Sequence, residues 1–374
     1  MPHAGRLPEE SLELANRWSY ARVVPKVRER QGLERHRPAR WVLAVIGIAA
    51  VVAAVDTGVF ALTRGGTTAV ADGLPSGAVA VIDPVAGQLI DEVAVGRLPT
   101  MIRAGYGAAW VLNKGDGTVT RIDGHSHKVV STLTPDAVAN ALTLGAGGVW
   151  FAGHPRNDLS GPLELAALQR INPASGAVDR RFVTRSGATV VAAAGGALWS
   201  TGFLGGHIRG EARSDAVSGE MRKLNLGIYG DLVAANDVAV YYVATVGDRI
   251  VRVSTRTGRQ TNMLTLATDA SLAAGNLPPN PTDVAVGGGA VWISETDGTV
   301  LRIEPRLGKI AASIHACGNA LAVAYGEGAV WVACADNSVV RVDPVTDRPA
   351  ASISVGRLPR GIAAGAGAIW VTLN

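Results

Sequence analysis

The sequence predicts an all-β protein, a seven-bladed β-propeller of four-stranded blades, preceded by one transmembrane helix. Three observations lead there. A 22-residue apolar run lies near the N-terminus, a repeat recurs with an aromatic every 39 to 51 residues, and each end of the repeat region holds half a repeat unit.

The apolar run comes first in the chain. Trp41 to Leu62 reads WVLAVIGIAAVVAAVDTGVFAL, and Asp56 is its only charge. At 1.5 Å per residue it covers about 33 Å, enough for a hydrocarbon core of about 30 Å. Arg35, Arg37 and Arg40 stand directly before it, and after Arg64 no Lys or Arg occurs until Arg97. That asymmetry predicts a cytoplasmic N-terminus and an extracytoplasmic remainder. Trp41 suits the interfacial aromatic belt, and Asp56 is placed near the outer interface, where charge costs less. Ala69-Val70-Ala71 offers a competing signal-peptide cleavage site, but forty residues before the apolar run are long for a signal peptide. The expected organisation is a basic cytoplasmic tail (1–40), the helix (41–62), a linker (63–76) and the propeller (77–374).

Charge excludes one class of function. Of 35 Lys and Arg, nine fall in residues 1–40, as do five of the 31 Asp and Glu; the remainder holds 26 of each sign. A neutral globular part lacks the basic field that phosphate backbones require, so no nucleic-acid partner is expected. Membrane lipid is the partner of the helix.

The repeat reads PTMIRAGYGAAWVLNKGDGTVTRIDGHSHKVVSTL at Pro99–Leu133 and PTDVAVGGGAVWISETDGTVLRIEPRLGKIAASI at Pro281–Ile314. The aromatic position is Trp110, Trp150, Trp199, Tyr241, Trp292, Trp331 and Trp370. Each unit begins with a short strand of small residues, as a crowded axis demands, followed by a Gly-x-Gly turn needing positive φ. The aromatic strand comes next, then an Asp-Gly turn, a strand ending in Arg-Ile-Asp or a relative, and an alternating outer strand. The recurring Arg and the tryptophans are read as blade-building residues. The region closes on itself: PRGIAAGAGAIWVTLN at the C-terminus is a first half, GAVAVIDPVAGQLIDEVAVG at 77–96 a second half, and Gly-Arg-Leu-Pro occurs at both 96–99 and 356–359. Joined, they make the seventh blade and leave no unpaired edge at the seam.

This WVxN…DGTVxRIDPxTGKVVxTIxVG pattern resembles the YVTN-type, YncE-like β-propellers and, more distantly, the streptogramin-lyase-like propellers. The resemblance covers about residues 77–374 and implies a fold, since this architecture hosts many activities. Streptogramin-lyase-like enzymes would need a His/Glu cluster and a divalent metal at the central channel. No motif here matches theirs residue by residue, so no catalytic residue, metal ligand or cofactor is carried over.

Candidate binding residues follow from topology. Second-to-third strand loops and blade-to-blade loops emerge on one face, which places there Arg97, Lys114, Asp116, His154, Arg156, Asp158, His207, Arg209, Tyr229, Asp248, Glu295, Asp297, Asp336 and Arg357. Insertions at roughly 152–168 and 267–280 widen that face, and long loops in a compact domain are commonly functional. His125 and His127 fall in a third-to-fourth strand turn on the opposite face and are expected to be solvated. Cys317 precedes one strand and Cys334 ends the next, nearly opposite across a hairpin, so a disulfide between them is expected. No nucleophile elbow or phosphate-binding loop appears. The expectation is a binding module for a protein, peptide, glycan or envelope ligand. The alternative is a metal-dependent lyase or hydrolase acting on a small cyclic or lactone substrate.

Overall fold

The computed structural model describes residues 77–155, 166–184, 186–204, 208–228, 230–244, 249–266 and 279–374. The expected tail, transmembrane helix and linker (1–76) lie outside the described residues. Within them, 28 strands form seven four-stranded antiparallel sheets. Strands β1 (Ala78–Asp83) and β2 (Gln88–Ala94) come first. Blade 1 holds β3–β6 (99–133), blade 2 β7–β10 (137–184), blade 3 β11–β14 (186–224) and blade 4 β15–β18 (232–265). Blade 5 holds β19–β22 (281–315) and blade 6 β23–β26 (320–354); β27 (Pro359–Gly365) and β28 (Ala368–Leu373) end the chain.

The seventh sheet has the order β2-β1-β28-β27, so both halves of the split unit join in one blade. Val81 lies opposite Trp370 across that joint. The first strands of all blades touch in sequence, and β27 touches β3, which closes the ring. The described part is therefore a seven-bladed β-propeller, as the repeat predicts.

Burial follows strand position. Second strands such as β4 (Ala108–Asn113), β20 (Ala290–Glu295), β24 (Ala329–Cys334) and β28 are buried throughout, whereas β2 and β26 (Arg348–Ser354) are mostly exposed. Trp150, Trp199, Trp292, Trp331 and Trp370 are fully buried. Except in Trp150, the indole Nε1 donates to the carbonyl that ends the preceding strand, at 2.9 Å for Trp370 to Gly365 and 3.1 Å for Trp331 to Gly326. The repeated arginine lies over the indole face, 5.3 Å from centroid for Arg121 on Trp110 and 5.5 Å for Arg213 on Trp199. Such contacts contribute about 0.5–2 kcal/mol, a structural use for a residue found in nearly every blade.

The glycines of the first turn do two jobs. The turn itself uses the second pair of the motif, such as Tyr106-Gly107 and Glu327-Gly328, both with positive φ, which is the hairpin geometry that matches strand twist. The leading glycine serves packing: a Cβ on Gly105 would stand 2.7 Å from Leu144 of the next blade, and one on Gly326 2.8 Å from the Ala364 carbonyl oxygen.

A second sevenfold feature was not legible as such. In every third-to-fourth strand turn, the amide four residues along bonds back to the first carbonyl: Gly87, His127, Gly176, Gly219, Gly258, Gly308 and Asp347, all with positive φ. Glycine suits this conformation, and His127 and Asp347 are the two exceptions. Both reach the preceding blade. Asp347 accepts a 2.8 Å bond from Arg302 of blade 5. His127 meets Trp370 edge-on at 5.5 Å, and its Nδ1 lies 3.4 Å from Asp91 of the composite blade. The expectation of a solvated turn therefore holds for exposed His125 and fails for His127. Blade 7 has Val81 where other blades carry the arginine, and His127 covers the indole that this leaves.

A disulfide joins Cys317 and Cys334, with Cα atoms 6.4 Å apart and a sequence separation of 17. A loop of that size is expected to contribute about 3 kcal/mol by restricting the unfolded chain. Reduction should lower the melting temperature by several degrees; an unchanged melting curve with dithiothreitol would show that the bond contributes nothing.

Candidate functional site

On the predicted face, the connections that enter blades 1, 5 and 6 are bonded by their backbone to the second-to-third strand loop of the same blade. Lys114 N donates to Leu98 O and Gly115 N to Arg97 O, each at 2.9 Å. Thr296 N to Asn280 O and Ala335 N to Asn319 O repeat the link at 3.0 Å. The loops are thus a rigid rim.

This frame brings Arg97, Lys114 and Asp116 together. Asp116 accepts both the Arg97 amide and its Nε at 2.6 Å. The Arg97 guanidinium holds the Asp116 carboxyl below the usual carboxylate range. Lys114 beside them is exposed. Asp297 and Asp336 each close their own turn, accepting from Thr299 N at 2.9 Å and from Ser338 Oγ at 2.6 Å. Arg357 pairs with Glu92. His154 is half-buried opposite Val138, and Glu295 is buried opposite Pro281. Arg156, His207, Tyr229 and Asp248 lie outside the described residues, as do Asp158 and most of both insertions; the side chain of Arg209 is likewise undescribed.

The axis holds groups that the sequence reading missed. The seven first strands enclose a cavity of about 330 Å³, with a second of about 160 Å³ toward the predicted face. Their walls are mainly Ala, Val, Ile and Leu, but Arg103 of β3 and Asp283 of β19 line both. Arg360, at the start of β27, lines the outer cavity with Thr100 and Thr282. A β-bulge lies between Pro281 and Asp283, as at the start of most first strands. The Asp283 Oδ1 accepts from Val284 N at 2.8 Å and its Oδ2 from Val323 N of blade 6 at 3.2 Å. Burial pushes the Asp283 carboxyl above its ordinary value, against the opposing effects of the Arg103 charge and these two amides. Glu211 of blade 3 is buried too; burial raises it, opposed by the bond from Gly230 N at 2.9 Å. The available signal was a charge interrupting a small, apolar first strand, as in PTDVAVG and PTMIRAG.

The sign of the pH effect follows. A folded-state value above the unfolded one gives stability that is full below the unfolded value and lost as pH rises through the folded value. Asp283→Asn removes that titration. Its melting temperature relative to wild type is therefore expected to climb as pH rises from about 4, whatever constant offset the substitution itself adds. A flat difference between pH 3 and 8 would refute the assignment.

Among the described residues, no group of three or more His, Cys, Asp or Glu stands close enough to hold a metal ion. No helix among them is long and apolar enough to cross a membrane.

Solved structures share this architecture. The β-propeller domain of Cps50 (Swd1) from Myceliophteria thermophila matches with a TM-score of 0.56 at 10% identity, over 78% of this chain and 98% of that one. The likeness is one of fold. The dihydro-heme d1 dehydrogenase NirN, solved in complex with DHE, matches with a TM-score of 0.52 at 11% identity, over 80% of this chain and 69% of that one. The computationally designed Ika8 protein gives 0.52 at 15% identity, over 81% and 92%. At such identities the likeness carries architecture and no activity. No protein-family model matches the chain, and no curated protein does.

Proposed function

We propose that this chain is a single-pass, membrane-anchored β-propeller of YVTN-type, YncE-like character, with its N-terminus cytoplasmic and its propeller outside. In this reading it binds a protein, peptide or glycan of the cell envelope on the face where the blade-to-blade loops emerge. The observation that carries the reading is the backbone-bonded loops of blades 1, 5 and 6, which present exposed Lys114, Asp297 and Asp336, while exposed Arg360 lines the outer cavity of the axial channel. Preset polar groups on a rigid frame bind without a large ordering cost. The anchor rests on the apolar run 41–62 and the arginines before it.

The test compares capture of solubilised envelope fractions by immobilised full-length protein and by a Lys114→Glu/Asp297→Lys variant. Loss of a specific captured component in the variant is expected. Equal loss from a charge reversal on the opposite face, such as Lys128→Glu, would overturn the choice of face. Titration with divalent metals against a chelator control decides the alternative: saturable thermal stabilisation would favour a metal-dependent lyase or hydrolase.

A further inference from the structure

Arg103 and Asp283 are opposite charges in one channel that do not pair with each other. They come from blades 1 and 5, which meet across the axis, and both line the inner and outer cavities. The Arg103 guanidinium donates to the neighbouring Ile102 carbonyl at 2.9 Å and makes no ion pair among the described residues. That leaves most of its five donors for another acceptor. Each Asp283 oxygen accepts one amide and keeps a lone pair. Around them the wall is apolar, with Val233, Ala285, Val323 and Ile362 close by.

We propose that the channel binds a compact zwitterion, an α-amino acid or similar amino carboxylate, with its carboxylate on Arg103 and its ammonium on Asp283. Charges set among apolar side chains are costly unless compensated. The two already attract each other through space, since the Arg103 charge acts on the Asp283 carboxyl; a simple anion or cation upsets that balance, whereas a zwitterion answers both and preserves neutrality. Guanidinium suits bidentate carboxylate binding, and a short aliphatic side chain fits the Ala and Val walls. The inner cavity of about 330 Å³ lies at the small end of ligand sites, which span about 300–1,000 Å³. Asp283 also ties blade 5 to blade 6 through Val323, a role for one accepting oxygen that asparagine can also supply. This proposal is independent of the loop-face reading.

The test is calorimetric and thermal-shift titration of the full-length protein in detergent with glycine and with L-alanine. Sodium acetate and methylammonium chloride at matched ionic strength are the controls. Saturable binding of the zwitterions is expected, with no comparable response to either control. Arg103→Met and Asp283→Asn should each weaken it by about tenfold or more, and Arg103→Lys should restore part of the Arg103→Met loss. Three results would overturn the proposal: no zwitterion binding to wild type, acetate binding as well as glycine, or unchanged binding in both variants. Should a variant fail to fold, the wild-type comparison of glycine with its two half-ligands still decides.

Discussion

Replacing Trp370 with alanine is expected to cost about 3–5 kcal/mol, the range for truncating a buried tryptophan, and to open the ring at its seam. The indole is fully buried, donates to Gly365 O at 2.9 Å, and lies opposite Val81 in the joint between the two chain ends. The same truncation at Trp331, also fully buried, falls within a blade made of one continuous segment. Both variants should melt earlier by several degrees. They should differ under brief proteolysis in native buffer, where Trp370→Ala releases the half-blade at residues 78–94 and exposes it to cleavage. The His127 ring, 5.5 Å from the Trp370 indole, loses its partner at the same time. Identical cleavage patterns in both variants would show that the joint is not the weak point of the ring.

Gly298→Ala is the second large effect. Gly298 has φ +82, and a Cβ there would stand 1.6 Å from the Cys317 carbonyl oxygen. The strap that leaves blade 5 is bonded to this glycine through the Ala316 amide at 2.9 Å, so it cannot give way without losing that bond. Gly328 supplies the control: its φ is +77, and a Cβ there would meet nothing within 4 Å. Gly328→Ala should cost only the left-handed backbone penalty, about 1–2 kcal/mol. Gly298→Ala should cost a further 1–3 kcal/mol or so for the steric displacement. Denaturant titration of both variants measures the difference, and equal midpoints would mean that the strap moves aside freely.

Within the described residues, the sequence by itself determined the blades, their turns and the closure of the ring. These follow from local rules: alternation makes strands, Gly-x-Gly and Asp-Gly make turns, and one large aromatic per unit fills each blade. Half-units at 77–96 and at the C-terminus require each other, because an open sheet edge would be left otherwise. What only the tertiary structure decided is which side chains meet. Asp297 and Asp336, candidates by topology, are engaged by their own turns, since a short carboxylate beside free amides bonds locally first. His127 and Asp347 look like ordinary turn residues in the repeat; the left-handed turn directs each onto the preceding blade. Arg103 and Asp283 stand 180 residues apart in sequence. They share a channel because seven blades curve back on themselves, and no local pattern encodes an angle accumulated around a ring.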